Sequence, residues 1–357
     1  MLTPQKVAAA RKTGELAAAR ELVRLRFNLT QSIDVFQVIE NANLWLYFTP
    51  LSGPLGAYLG NGILINNNRP RSVQRLTGAH EYGHYVLKHT NSVDSSFEIS
   101  TALFRPNPTR RNDTPIYFTE EEFLNEVAAQ AFAMDFLMPV TLINNIWQDL
   151  DFPSDGNALQ HHHAYHLSLL LGASYKATLY QLMFMSKITP KRRQELDVEP
   201  KRIKQFLSGG IGLENSRADI WIINSSFTGG LLTANVDDEL HVRLPEAPST
   251  GYVWKPENPT PSSSGDQVMA NIENVGFNLF SNLFEPSNAQ SPQMIGAGGI
   301  RHFSLRALHP GYHQLRFTKG RPWQKNKPSE IFEIDVLVTN TTNGLSPSQQ
   351  LALDVDI

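Results

Sequence analysis

Cysteine is absent from the 357 residues. That excludes a disulfide-stapled scaffold and every zinc site built on thiolates, so a zinc centre here has to use histidine and carboxylate. An excess of positive charge is lacking too. The 31 basic and 34 acidic residues leave a formal charge of −3, which is no electrostatic footprint for nucleic acid. Long apolar runs are missing: Leu167–Ala173 is among the longest and falls far short of the roughly 18–20 residues of a membrane-spanning helix. The first residues scatter lysine and arginine among alanines, which is not the pattern of a signal peptide. The expectation is a soluble cytoplasmic protein with no membrane segment. The length suits two domains of about 100–200 residues each.

What is present differs between the two halves, and the expected fold class is α+β. Residues 7–26 and 31–41 read as helices, Leu44–Phe48 and Gly62–Ile65 as strands, and 71–89 as one long helix. Thr119 with Glu122 three residues on has the spacing of a capping box, and Glu120–Glu122 suit a helix N-terminus. That helix should end before Pro139, with one or two further helices over 159–185. From about residue 214, short alternating runs take over: Ile220–Ile223, Leu240–Leu244, His302–Leu308, Tyr312–Phe317 and Ile331–Val338. Separated by Gly, Pro, Ser and Asn, they predict a small all-β sandwich or barrel. The expected organisation is a first domain over 1–190, a helical or linker segment over 191–213 ending near Gly209-Gly210, a β domain over 214–340 and a polar tail over 341–357.

The strongest motif is His80-Glu81-Tyr82-Gly83-His84. Two histidines four apart lie on one helix face, so both imidazoles can reach one metal ion, and Glu81 sits beside a water on that ion as general base. The plain alternative is a surface helix with two solvated histidines. A catalytic zinc needs a third protein ligand. A second glycine and histidine three and six residues past His84 would supply one pattern, but Leu87 and Thr90 stand there. His89 is one residue off and is expected at the surface. Glu126 borders the apolar face Ala129, Phe132, Ala133, Phe136 and Leu137, as a buried ligand would; spacing alone leaves a solvated glutamate equally open. Gln130, one turn on, is placed to hydrogen-bond a ligating histidine. Tyr117, Tyr165 and His166 are candidate donors to a developing oxyanion. His161, His162, His163 and His166 repeat the His-x-x-x-His spacing without a carboxylate between them, and read better as a polar helix start than as a second metal site.

The segment Leu76 to His84, followed by Asn125-Glu126-Val127-Ala128-Ala129-Gln130-Ala131-Phe132-Ala133 and Leu137-Met138-Pro139, resembles the ImmA/IrrE family of metallopeptidases. Gly62-Ile63-Leu64-Ile65-Asn66 and the stretch from Leu167 to Leu182 extend the resemblance over roughly 15–190. It implies a zincin-like fold, Zn2+ on His80, His84 and Glu126, Glu81 as base, and regulatory proteolysis in a prokaryotic cytoplasm, with a transcriptional repressor as the substrate class. Ala128 and Gln130 depart from the family's second glutamate and its asparagine.

In the β half, Glu246-Ala247-Pro248-Ser249-Thr250-Gly251-Tyr252-Val253-Trp254 runs from a strand through a turn, Gly296 to Gly299 precedes another strand, and Arg321-Pro322-Trp323 precedes the last. Loops on a rigid sandwich commonly carry recognition, although the same residues are ordinary turn chemistry and Tyr252 and Trp254 could be core. Together the three segments resemble the chagasin-type cysteine-protease inhibitors, with Ala247 in place of the family's asparagine and extra residues around Ser262–Gly265. The resemblance implies an immunoglobulin-like sandwich that wedges into a papain-like cleft through Pro248, Ser249, Thr250, Gly251, Tyr252, Gly298, Gly299, Arg321, Pro322 and Trp323. The leading expectation is a zinc endopeptidase with an appended β domain for protein recognition, inhibition or autoregulation. The alternative is an inhibitor module on an inactive peptidase scaffold, against which the retained Glu81 argues. A DNA-associated regulator using Lys191-Arg192-Arg193, Lys201, Arg202 and Lys204 is weakened by the interspersed Glu195, Asp197 and Glu199.

Overall fold

A computed structural model of the chain describes residues 2–89, 92–93, 119–150, 152–210, 213, 215, 218–257, 276–287, 298–323 and 328–340. Tyr117, Gly296, Ala297, the stretch around Ser262–Gly265 and the expected tail over 341–357 lie outside the described residues. Among the described residues the chain divides into two units between Ile203 and Lys204, ahead of Gly209-Gly210.

The first unit is mainly helical, around one four-stranded sheet. Its first helix, α1 (Pro4–Leu25), starts where Thr3 accepts from Lys6 N and Pro4 supplies a preset φ at N1. The next, α2 (Val35–Asn41), begins later than periodicity suggests, because Asp34 caps it by accepting from Phe36 N and Gln37 N. The strands are β1 (Trp45–Thr49), β2 (Gly56–Tyr58), β3 (Gly62–Asn66) and β4 (Ser92–Val93), in the order β1-β3-β2-β4. β1 runs parallel to β3, and β2 antiparallel to both β3 and β4. The helix α3 (Arg71–Leu87) lies on this sheet, with Gly78 against Ile65 of β3 and Phe36 of α2.

The expected capping box starts α4 (Glu120–Leu137): Glu122 N donates to Thr119 Oγ1, and Thr119 N donates back to Glu122 Oε2. α4 ends ahead of Pro139, as expected, and Pro139 also serves as the N-cap of a helix that the sequence reading did not include, α5 (Val140–Asp149). The stretch Glu120–Asp149 is apolar and long enough by composition to cross a bilayer, yet 83% of its most apolar window is buried inside the protein, so its side chains form core. Then come α6 (His161–Leu171), α7 (Tyr175–Phe184), α8 (Pro190–Leu196) and α9 (Pro200–Leu207). Arg75 of α3 ties α6 down. Half-buried, it donates to the carbonyls of Gly172 and Ile33.

Small residues set the helix spacing. A Cβ on Gly14 of α1 would lie 2.0 Å from the Ala128 carbonyl oxygen of α4. A Cβ on Gly83 of α3 would lie 3.0 Å from Phe132 Cδ1 and 3.2 Å from the Ala129 oxygen. Both contacts bring α4 backbone-close to its neighbours, which fixes how far a glutamate on α4 can reach.

The second unit holds two four-stranded sheets. One is ordered β5-β7-β10-β9, from β5 (Ile220–Ile223), β7 (Glu239–Glu246), β9 (Phe277–Pro286) and β10 (Gly299–Ala307). The other is ordered β6-β12-β11-β8, from β6 (Leu231–Asn235), β8 (Val253–Pro256), β11 (Gly311–Gly320) and β12 (Glu330–Thr339). Most pairs are antiparallel; β5 with β7 and β6 with β12 are parallel. Alternation buries Leu240, Val242, Leu244, Phe303 and Leu305 on one sheet and Leu315, Phe317, Phe332, Ile334 and Val336 on the other. Phe303 and Phe317 meet across them with ring centroids 4.7 Å apart.

Candidate functional site

Helix α3 carries His80, Glu81 and His84, all buried, and the close approach at Gly83 brings Glu126 of α4 onto the two imidazoles. His80 Nε2 is 3.0 Å from Glu126 Oε2, His84 Nε2 is 3.1 Å from His80 Nε2, and His84 Nε2 is 3.4 Å from Glu126 Oε1. His80, His84 and Glu126 are the one group of three or more metal-capable side chains found among the described residues, with ligand atoms all within 4.8 Å of one another. Burial raises the Glu126 carboxyl, but hydrogen bonds to His80 and His84 outweigh it and hold the group well below the usual carboxylate range. Burial lowers His84, which keeps its ring a neutral lone-pair donor.

The donor set fits a zinc ion. Ligand atoms at about 2.0–2.1 Å in a tetrahedron stand about 3.3 Å from each other; here the two imidazole nitrogens are 3.1 Å apart, and the carboxylate meets His80 through Oε2 at 3.0 Å and His84 through Oε1 at 3.4 Å. Two imidazole nitrogens with one carboxylate oxygen are also a donor set of the kind catalytic zinc takes. Glu81, next to His80 on α3, is fully buried, and Gly56 of β2 stands at ordinary contact distance from it, a Cβ there lying 3.5 Å from Glu81 Cγ.

Two residues around the histidines add to the picture. Gln130 is buried on α4, but its Nε2 has no hydrogen-bond partner among the described residues, and no bond joins it to either histidine. The outward nitrogen of His84 instead meets His89, whose Nδ1 lies 3.0 Å from His84 Nδ1. His89 is therefore half-buried against the site rather than free at the surface. Helix α3 stops at Leu87, and Lys88 takes a left-handed conformation (φ 58°). Lys88 N then donates to Tyr85 O and His89 N to His84 O. This Schellman turn folds His89 back over the last helical turn, and burial, then His84, lowers its pKa to about 4. Had the helix continued, residue 89 would point about 140° away from His84.

Tyr165 and His166 are buried in α6. Of the other histidines there, His163 Nδ1 accepts from Gln160 N at the helix start, a capping role rather than a ligand's.

In the second unit, strand register gathers the three loop segments at one end. Gly299 pairs with Glu246, just before Ala247, and Gly320 pairs with Val253, just before Arg321. Pro248–Thr250 form a short 3-10 turn closed by Gly251 at φ 78°, a left-handed position that favours glycine. The Trp323 ring lies on Gly251, so that a Cβ there would come within 2.7 Å of it, and the Arg321 guanidinium sits 4.7 Å over the Tyr252 ring. Trp323 is 68% exposed. Gly298 O accepts from Ser287 N where β10 begins. Trp254 is core, its indole donating to Pro245 O, whereas Tyr252 is half-buried. Beneath the turn lies a pair the sequence did not signal: buried Glu246 accepts from Arg301 Nε and from Trp254 N. A glutamate in a strand ordinarily reads as solvent-facing.

Comparison with known proteins agrees with both halves. The sequence profile described as the IrrE N-terminal-like domain (peptidase M78) matches residues 39–183. That of the chagasin family peptidase inhibitor I42 matches residues 233–336. Chagasin of Trypanosoma cruzi is 30% identical over 101 residues, covering 28% of this chain and 81% of the inhibitor. Amoebiasin-2 of Entamoeba histolytica is 28% identical over 125 residues, covering 35% of this chain and 89% of that protein. The crystal structure of the cysteine protease inhibitor EhICP2 from Entamoeba histolytica aligns at 24% identity and a TM-score of 0.28, covering 34% of this chain and 97% of that one. Residues 39–183 match the IrrE N-terminal-like domain of the M78 peptidases, and through its C-terminal part the chain belongs to the chagasin family of peptidase inhibitors.

Proposed function

We propose that the protein is a zinc-dependent endopeptidase of zincin-like fold, acting on a regulatory protein such as a transcriptional repressor in the cytoplasm. The observation that carries this reading is the buried cluster of His80, His84 and Glu126, whose metal-capable atoms lie within 4.8 Å of one another, with buried Glu81 next to His80 on α3. The ion, when held there, supplies Lewis acidity that brings water close to ionisation at neutral pH and polarises a peptide carbonyl. The Glu81 carboxylate takes the proton of the attacking water and hands it to the leaving amine. Glu126 contributes one negative charge, and the two imidazoles stay neutral, so the centre keeps a net positive field toward a developing oxyanion.

The test is Glu81→Gln in the full chain, co-expressed with candidate regulatory proteins. The variant should retain zinc and lose cleavage by about 10²–10⁴-fold, the usual contribution of a general base. Unchanged cleavage would remove Glu81 from this role.

A second reading concerns the C-terminal unit and is compatible with the first. The exposed Trp323 seated on Gly251, with Arg321 over Tyr252, presents a preformed apolar and cationic surface at one end of the two sheets. We infer an immunoglobulin-like sandwich that binds a papain-like protease, or another protein, through this end.

A further inference from the structure

We propose that His89 is a positioning residue of the metal centre: its Nδ1 accepts a hydrogen bond from His84 Nδ1–H and holds the His84 ring with Nε2 turned to the ion. The inference rests on the zinc reading above and adds to it a residue outside the His-Glu-x-x-His set. His84 Nε2 is the nitrogen that faces His80 and Glu126. An imidazole can offer the Nε2 lone pair only if its proton sits on Nδ1, and that proton needs an acceptor to fix tautomer and ring angle. His89 Nδ1 is 3.0 Å away, and the two rings meet edge to face with centroids 5.0 Å apart. His89 then carries its own proton on Nε2.

The backbone makes the arrangement specific. The left-handed Lys88 and the bond from His89 N to His84 O return the chain to the residue whose ring is being held. A ligating histidine more often donates to a carboxylate or a carbonyl. A neutral imidazole acceptor leaves Glu126 as the one negative charge in the ligand set.

The test compares zinc affinity, by competition with a chromophoric chelator, for the full-length wild type, His89→Phe and His89→Asn. Thermal unfolding of the metal-free proteins monitors the fold, and the visible spectra of the cobalt(II) forms report ligand geometry. Phenylalanine keeps the ring but accepts nothing; asparagine sets Oδ1 near the place of the histidine Nδ1. His89→Phe should weaken zinc binding about 10–100-fold, the usual cost of losing an outer partner, and alter the cobalt spectrum, while His89→Asn recovers most of both. Wild-type affinity in His89→Phe, or equal losses in the two variants, would overturn the proposal. A wild type that takes up no zinc would instead overturn the zinc reading, and this inference with it.

Discussion

Replacing Gly14 by alanine sets two physical effects against each other, and the structure decides the sign. Helix propensity alone favours alanine in the interior of α1 by about 1 kcal/mol. The new methyl, however, would stand 2.0 Å from the Ala128 oxygen and 2.9 Å from Phe132 N. Both are backbone atoms of α4, so no rotamer change relieves the contact. Restoring an ordinary carbon–oxygen separation needs a shift of more than about 1 Å, and overpacking of this kind costs about 1–3 kcal/mol or more. Because the contacts are with backbone, the cost belongs in the upper half of that range; less the propensity gain, the expected net effect is a loss of about 1–2 kcal/mol, which for a unit of this size lowers the unfolding temperature by about 2–8 °C. Ala128 is two residues from Glu126, so zinc affinity should fall as well. The assay is thermal unfolding with zinc titration, calibrated by Ala19→Gly on the exposed side of α1, which should lose about 1 kcal/mol through propensity alone. A Gly14→Ala protein as stable as the wild type, or more stable, would refute the close-packing argument.

Two further outcomes follow from other contacts. Glu21 accepts from Arg24 Nε and the Tyr82 hydroxyl; burial raises its carboxyl, but these partners outweigh that and leave it depressed. A depressed acid contributes stability above its unfolded pKa of about 4.3 and loses it as pH falls through the folded value. Glu21→Gln should therefore flatten the acid side of the stability–pH curve measured by denaturant titration, and an unchanged slope below pH ~4 would count against the link from α1 to α3. Trp323→Ala should leave stability unchanged, because the ring is 68% exposed, yet weaken inhibition of papain by the full chain at least about 10-fold, as an aromatic anchor would; equal inhibition would remove Trp323 from the binding surface.

The parts of the site that are local in sequence were legible in it. His80, Glu81 and His84 share a helix, and their common face follows from a four-residue spacing. Glu126 could be nominated because it borders the apolar face of α4 and falls in the segment that resembles the ImmA/IrrE family, although it takes packing at Gly83 to bring it to the histidines. His89 was illegible for a definite reason. Helices often end with glycine in the left-handed position, and here Lys88 occupies it, so the turn that returns His89 to His84 carries no compositional mark. The same holds for β9, which lies at a sheet edge with Phe280 and Leu283 exposed and its register shifted opposite Ser304 and Leu305, breaking the alternation that reveals a strand. Glu246 and Arg301 were hidden because their pairing joins different strands, 55 residues apart in sequence.

The most direct test of the central claim is the zinc content of the purified full chain after dialysis, read by elemental analysis on wild type, His80→Ala, His84→Ala and Glu126→Ala. With the fold of each variant verified by circular dichroism, the wild type should retain one zinc ion per chain, and each variant little or none. Zinc-free wild type, or variants that keep the wild-type stoichiometry, would contradict the assignment of His80, His84 and Glu126 as the metal ligands.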